Sequence, residues 1–274
     1  MAASRVKKKA PFPTSAECLC TASSKEKFED ARRRVVSDGA RGIGIGGLGE
    51  KYMHRTVKYY IDPNEENHEI SHLGMVADIK NADGVFEVQT RSYDKLKTKL
   101  GRMLPHGMVT VVCPLSYEKT VRWMDIDSGE ISKERKSPKR ECIYDALYHL
   151  YSIREYITDP NLRVKLLFFK SGEIRALNGW DIAKKRGSTR VERIPEDILF
   201  EINISSPENY ALFIPQELGD SFAASELARA IARSSRFTFY VLKLLLATGV
   251  ICECGKRGRA VLYCRTAGLK CENS

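Results

Sequence analysis

The sequence predicts a mixed α/β fold of the α+β kind. Its core runs in the order helix, three strands, helix, strand over residues 48–113, with further hairpins after it and a small basic module at the C-terminal end. Four observations predict this. Segments 76–80 and 85–91 alternate as half-buried strands do, because successive side chains on a strand point to opposite faces. Between them, Asn81-Ala82-Asp83-Gly84 is a hairpin turn carrying Gly where positive φ is needed. Apolar residues flank the hairpin at helical spacing, with Glu50, Met53, Val57 and Tyr60 on one face before it and Tyr93, Leu96, Leu100 and Leu104 after it. Nine Lys or Arg against the single acid Glu253 fall between Arg229 and Lys270, around two helix-like segments and a basic turn.

Composition bounds the rest. At 274 residues the chain is long enough for one large domain or two modest ones with a real core. The 45 Lys and Arg against 35 Asp and Glu leave a formal charge of +10, which favours a polyanionic partner, nucleic acid ahead of membrane, over a merely basic surface. No run reaches the ~18–20 apolar residues of a membrane span, and the Lys-rich N-terminus has no apolar stretch after it. The expectation is a soluble, cytoplasmic chain with no membrane partner. Eight cysteines without an even secretory framework read as reduced thiols. Among them Cys252, Cys254, Cys264 and Cys271 lack the Cys-x2-Cys knuckle of a tetrahedral zinc site and read as free thiols.

Residues 1–40 read as a basic, largely disordered arm, with Lys7-Lys8-Lys9, Pro11 and Pro13 early and a short charged helix over 25–36. Gly42-Ile43-Gly44-Ile45-Gly46-Gly47 matches a dinucleotide fingerprint in letters but follows no buried strand, so it reads as a lead into the Glu50 helix. That helix runs to Ile61, where Asp62-Pro63-Asn64 stops it, and His68-Glu69-Ile70 begins a first short strand. After the hairpin, the Tyr93 helix leaves Lys95, Lys97, Lys99 and Arg102 outside its apolar stripe, as a solvated face or as a cation supply for the hairpin. Residues 109–113 predict a buried strand ending at Pro114, and 117–134 a hairpin around Asp127-Ser128-Gly129-Glu130. Next come a basic loop at 135–140, a helix over 145–157, a strand pair over 163–177 turning at Ser171-Gly172, and a second basic loop at 184–190. Pro195-Glu196-Asp197 has the order of a helix start. No linker composition interrupts this stretch, so 41–205 is predicted as one domain.

The hairpin sets Asp78 near Glu87 and Gln89. Carboxylates converging from adjacent strands repel unless a cation sits between them, and a hard divalent ion is the usual oxygen-ligand solution, Mg²⁺ or else Mn²⁺. Glu50 faces inward with apolar residues, an odd place for an unpaired acid.

An acid on a first helix, then Asp and Glu-x-Gln across a hairpin, then helix and strand, resembles the PD-(D/E)xK nuclease superfamily. The resemblance implies a restriction-endonuclease-like αβββαβ core, Asp78 and Glu87 as metal ligands, and Glu50 as the supporting helix acid. Gln89 stands where Lys is usual, so it would orient water without adding charge. The wider pattern also resembles a bacterial family carrying the blocks Gly-Leu-Gly-Glu-Lys, Val-Ala-Asp-Ile, Glu-Val-Gln-Thr-Arg, Arg-Lys-Ser-Pro-Lys and Leu-Asn-Gly-Trp, which implies no activity by itself.

A second domain is predicted over 215–268. Ser225-Glu226-Leu227-Ala228-Arg229 lies in a short helix, Ser234 caps another running to Ala247, and Thr248-Gly249 ends it. Strands over 250–254 and 260–264 are joined by Gly255-Lys256-Arg257-Gly258-Arg259. This order resembles a winged helix-turn-helix, in which the second helix enters the major groove and the wing meets backbone. The resemblance implies Arg236 near base edges and Lys256, Arg257 and Arg259 near phosphates. Arg91, Lys136, Lys139, Lys185 and Arg186 are further candidate phosphate contacts. Together these predict a DNA-binding, Mg²⁺-dependent endonuclease that hydrolyses phosphodiester bonds. The alternative is a catalytically inactive nuclease-like fold serving as a winged-helix DNA-binding regulator, with a homodimer as the other partner state.

Overall fold

The computed structural model describes residues 21–39, 52–90, 93–125, 128–180 and 186–266. Helix α1 (Ala22–Gly39) is capped by the Thr21 hydroxyl, which accepts the Ser24 N–H at 3.1 Å. Its sparse apolar stripe, Phe28, Ala31 and Val35, is fully buried, so the short charged helix expected over 25–36 is longer and packs into the core. Three apolar residues at helical spacing suffice once a sheet lies beneath them. Helix α2 (Tyr52–Ile61) buries Met53, Val57 and Tyr60, the face expected from their spacing. The chain then enters β1 (His68–His72), β2 (Met75–Asn81), β3 (Gly84–Val88), α3 (Tyr93–Met103) and β4 (Val109–Met124).

Beyond β4 come β5 (Arg135–Lys136), α4 (Ile143–Leu150), a 3-10 segment at Tyr151–Tyr156, β6 (Leu162–Trp180) and β7 (Arg186–Ile204). They complete a mixed seven-stranded sheet in the order β1-β2-β3-β4-β6-β7, with β5 beside β4. β1, β2 and β3 are antiparallel neighbours, β3–β4 and β4–β6 are parallel, and β6–β7 is antiparallel. The alternation of strand side chains divides the core between two faces. On one face α1 and α2 cover Val88, Val112, Leu167, Phe169 and Ile198. On the other, α3, α4 and the C-terminal elements cover Val109, Val111, Cys113, Leu166, Phe168 and Ile202.

Several predicted elements of the sheet differ from the structure, among them the basic loop expected at 184–190, which from Arg186 on is the start of β7. β4 does not end at Pro114 but continues through it, opposite Leu167 of β6. The Val112 carbonyl faces β3, accepting the Gln89 N–H at 2.8 Å, so two residues on Pro114 faces the same side. There β3 has already ended, and the missing N–H of Pro114 leaves no ladder partner wanting. β6 is one strand, not a pair: Ser171 and Gly172 sit in mid-strand between β4 and β7. Gly172 there admits the Glu196 carboxylate, which a Cβ would meet at 2.8 Å. Pro195 does not start a helix. It lies in β7 opposite Ser171, and the pairing steps from Ser171–Pro195 to Lys170–Asp197, leaving Glu196 as the extra residue of a bulge. The predicted turn after β4 is present as an antiparallel bridge between Met124 and Ile131.

The C-terminal elements are β8 (Ser221–Ala223), α5 (Ala224–Ala230), α6 (Ser235–Ala247), β9 (Ile251–Arg257) and β10 (Ala260–Arg265). A three-stranded antiparallel sheet in the order β8-β10-β9 backs the two helices. Leu227, Ile231, Val241, Leu242, Leu244 and Tyr263 belong to the same apolar cluster as β4, β6 and α3. The core therefore runs without a break across the boundary predicted near residue 215.

Candidate functional site

The β2–β3 hairpin is built around Gly84. Its φ is +123°, and a Cβ there would lie 2.5 Å from the Met108 carbonyl oxygen, so the position requires glycine. Asn81 closes the turn by accepting the Asp83 N–H at 2.9 Å through its side chain. Asp62 anchors the assembly. Buried at the end of α2, it accepts from the Asn64 N–H and from the side-chain amides of Asn67 and Asn81, each at 2.8 Å. One carboxylate thus ties the exit of α2 to the hairpin turn.

From that turn the paired residues run from Asn81–Gly84 to Ile79–Phe86, and there the ladder stops. The next residues on the two strands are Asp78 and Glu87. Asp78 Oδ2 turns into the opening, accepting the Val88 N–H at 2.7 Å, with His54 Nε2 of α2 at 3.2 Å. Glu87 is 2% exposed. Its Oε2 accepts from Lys99 Nζ of α3 at 2.7 Å, while Oε1 is buried with no hydrogen-bond partner among the described residues. Helices from opposite faces of the sheet therefore each deliver one basic side chain to the mouth of the hairpin.

The two carboxyls are driven apart in acidity. Burial pushes Asp78 up, but the His54 hydrogen bond and charge, the Val88 N–H and Lys99 outweigh it and hold Asp78 below the ordinary carboxylate value. Burial and the negative charge of Asp78 raise Glu87 to about 7, against the opposing pull of Lys99. A buried acid near neutrality beside an ionised one is a pairing often found where protons or cations are handled.

Gln89 lies just past β3, half-buried, held through its backbone: its N–H donates to Val112 and its carbonyl accepts the Tyr93 hydroxyl at 3.2 Å. Glu50, Arg91 and Lys185 lie outside the described residues. Among the described residues no group of three or more His, Cys, Asp or Glu side chains is placed to hold a metal ion. His54 and Lys99 were not singled out as site residues by the sequence. His54 sits one residue from the buried Met53, and Lys99 is one of four cations on the outer side of α3, of which Lys97 instead pairs with Glu155 at 2.7 Å.

Among the candidate phosphate contacts, Lys136 is exposed on β5, opposite Thr120, and Lys139 is exposed just after it. Arg186 opens β7. In the C-terminal module the predicted five-residue turn is shorter, since β9 runs to Arg257 and leaves only Gly258 and Arg259 between strands. Gly258 takes φ +61°, which permits so tight a reversal. Lys256 and Arg259 are exposed, whereas Arg257 donates to Glu226 at 3.0 Å. Arg236 is exposed in the first turn of α6, whose N-cap Ser234 accepts the Phe237 N–H. Cys252 and Cys264 face each other across β9 and β10 with sulfurs 3.4 Å apart, and Cys254 is exposed.

With this geometry in place, comparison with known proteins places residues 51–205 on the model of one family, described as Domain of unknown function (DUF8091). The chain belongs to the DUF8091 family. The DUF8091 span takes in His54, Asp78, Glu87 and Lys99 and stops short of the β8–β10 module. A relative from Treponema pallidum (strain Nichols), named "Uncharacterized protein", is 27% identical over 224 residues, covering 80% of this chain and 86% of that protein. The similarity therefore extends beyond the DUF8091 span. No solved structure matches.

Proposed function

We propose that this protein is a divalent-metal-dependent phosphodiesterase acting on DNA, with its chemistry at the mouth of the β2–β3 hairpin and its nucleic-acid grip in the β8–β10 module. One observation carries this reading: Asp78 and the buried Glu87 converge where the hairpin ladder opens, and Glu87 Oε1 has no hydrogen-bond partner among the described residues. A buried acceptor with no donor is destabilising, and two carboxylates at that point form a hard-oxygen donor set that suits Mg²⁺ or Mn²⁺. When bound, such an ion would lower the pKa of a water and stabilise charge developing on a phosphate. The chain's own residues supply the rest. His54 orients Asp78, Lys99 holds Glu87 and brings the positive charge that Gln89 lacks, and Gln89 stands at the strand end to position water. The strand-helix-helix-strand-strand order of the module, with sheet order β8-β10-β9, supports a winged-helix reading of the C-terminal part.

Incubation of the purified protein with plasmid and Mg²⁺ or Mn²⁺, beside an EDTA control, tests the proposal. Asp78→Asn and Glu87→Gln should each abolish cleavage while DNA binding persists, because a neutral amide holds a hard cation poorly. Cleavage at the parent rate by both variants would remove the site. A second reading is favoured by the Lys99–Glu87 contact at 2.7 Å: the ammonium itself fills the cation's role, and the protein is a non-catalytic DNA-binding regulator. In that case neither ion raises the melting temperature, whereas binding at Asp78 and Glu87 would raise it.

A further inference from the structure

Helix α6 turns Thr238, Val241, Leu242, Leu244 and Leu245 inward. Its outward side carries Arg236, Phe239 and Lys243, all exposed. Phe239 is 48% exposed, and Tyr148 of α4 is 37% exposed. These two open rings are parts of one continuous surface. Tyr240 lies edge-on to both, at 5.5 Å from Phe239 and 5.1 Å from Tyr148, and it also meets Tyr151 at 5.0 Å. Tyr148 in turn stacks flat on Phe237, with centroids 4.9 Å apart and planes 9° from parallel.

Cations border these rings. Arg154 lies over Tyr151 at 4.3 Å and Lys243 over Phe239 at 5.9 Å, with Arg236 about two turns before Lys243 on the same side of the helix. Nearby acids are already matched, Asp145 by Arg233 at 2.7 Å and Glu155 by Lys97 at 2.7 Å. The surface is thus aromatic and net positive. Reading paired bases in a major groove calls for side chains that hydrogen-bond base edges, above all Arg, Lys, Asn and Gln. Between its two exposed cations α6 offers a ring instead. Exposed rings beside cations suit bases whose faces are free, because stacking needs a π-face and the phosphates need charge.

We propose that Tyr148, Tyr151, Phe239 and Tyr240 form a stacking platform for unpaired bases, and that the module's ligand is single-stranded nucleic acid rather than intact duplex. The proposal rests on the nucleic-acid reading of this module but not on the hairpin chemistry. The test is fluorescence anisotropy in EDTA at one salt concentration, with labelled oligo(dT), oligo(U) and a duplex of equal length. The parent should bind at least one of the two single strands more tightly than the duplex, and the two single-strand arms tell DNA from RNA. Phe239→Ala and Phe239→Leu should each weaken that binding by about five-fold or more, the loss of one stacked base, with duplex affinity unchanged. Phe239 is exposed, so both variants should keep the parent's melting temperature.

Equal or tighter binding to duplex, or full retention of single-strand binding by Phe239→Leu, would overturn the platform. A parent dimer that Phe239→Ala converts to monomer, with single-strand affinity intact, would assign the rings to a copy of this chain and also overturn it. The two proposals fail separately. Metal-dependent cleavage together with an inert Phe239→Ala defeats only the platform, and single-strand preference without cleavage defeats only the hydrolase. Absence of binding to any of the three oligonucleotides defeats the platform and the DNA-binding reading alike.

Discussion

At the scale of single residues, the site is a balance between Asp78 and Glu87 that the surrounding cations have not fully settled. Glu87 has an ordinary value of 4.5 and sits at about 7 in the fold. The folded state therefore holds its proton longer than the unfolded chain does. Its favourable contribution is complete below about 4.5 and is lost as pH rises towards 7. Glu87→Gln, which cannot ionise, should be more stable than the parent at pH 8 without divalent ions, by on the order of 1–3 kcal/mol, and so unfold at a higher temperature. The two proteins should unfold close together at pH 4.5, and the variant should not cleave. A lower melting temperature for Glu87→Gln at pH 8 would mean that Lys99 more than compensates the buried charge. The sequence made this pair legible because strand alternation and a two-strand turn fix which residues meet. It did not expose Lys99 or His54, because which of several helix-face cations reaches a strand depends on how the helix crosses the sheet.

At the scale of elements, short-range signals sufficed where the chain reverses and misled where a long strand runs through turn-forming residues. Gly84 stands in a predicted turn and takes φ +123°. Gly84→Ala should destabilise by roughly 2–4 kcal/mol, since it combines a disfavoured φ with a clash against backbone, which cannot swing aside. The strain falls three residues from Glu87, so cleavage should fall even below the melting temperature; a variant with parent-like stability and activity would show the turn to be adaptable. Ser171-Gly172 and Pro195 carry the same local signature but lie in long paired strands. β6 has β4 on one side and β7 on the other, and Pro195 lies beside the Glu196 bulge in β7, an edge strand, where a missing N–H is tolerated. Tertiary pairing overrode local preference there. No window of sequence contains the partner strand that decides the outcome.

Across the whole molecule, one apolar cluster joins the sheet to the C-terminal module, so what the module binds is held in fixed relation to the hairpin mouth. Charge follows the same division of labour: acids and bases are matched around the sheet, as in Lys165–Glu201 and Lys170–Glu196, while cations outnumber acids in the module. The β9–β10 turn is where that excess can be counted. Lys256 and Arg259 are exposed, but Arg257 is engaged by Glu226. Each phosphate contact contributes about 0.9 to the slope of log affinity against log salt on duplex and about 0.7 on single strands. Lys256→Ala with Arg259→Ala should thus make the slope shallower by roughly 1.4–1.8. Adding Arg257→Ala should change it less than either of the others, because Arg257 must first leave Glu226 to meet a phosphate. Anisotropy titrations across ~50 to 200 mM salt read these slopes directly. If the double variant keeps the parent's slope, the β9–β10 turn does not touch phosphate, and the cations along α6 must then account for any attraction.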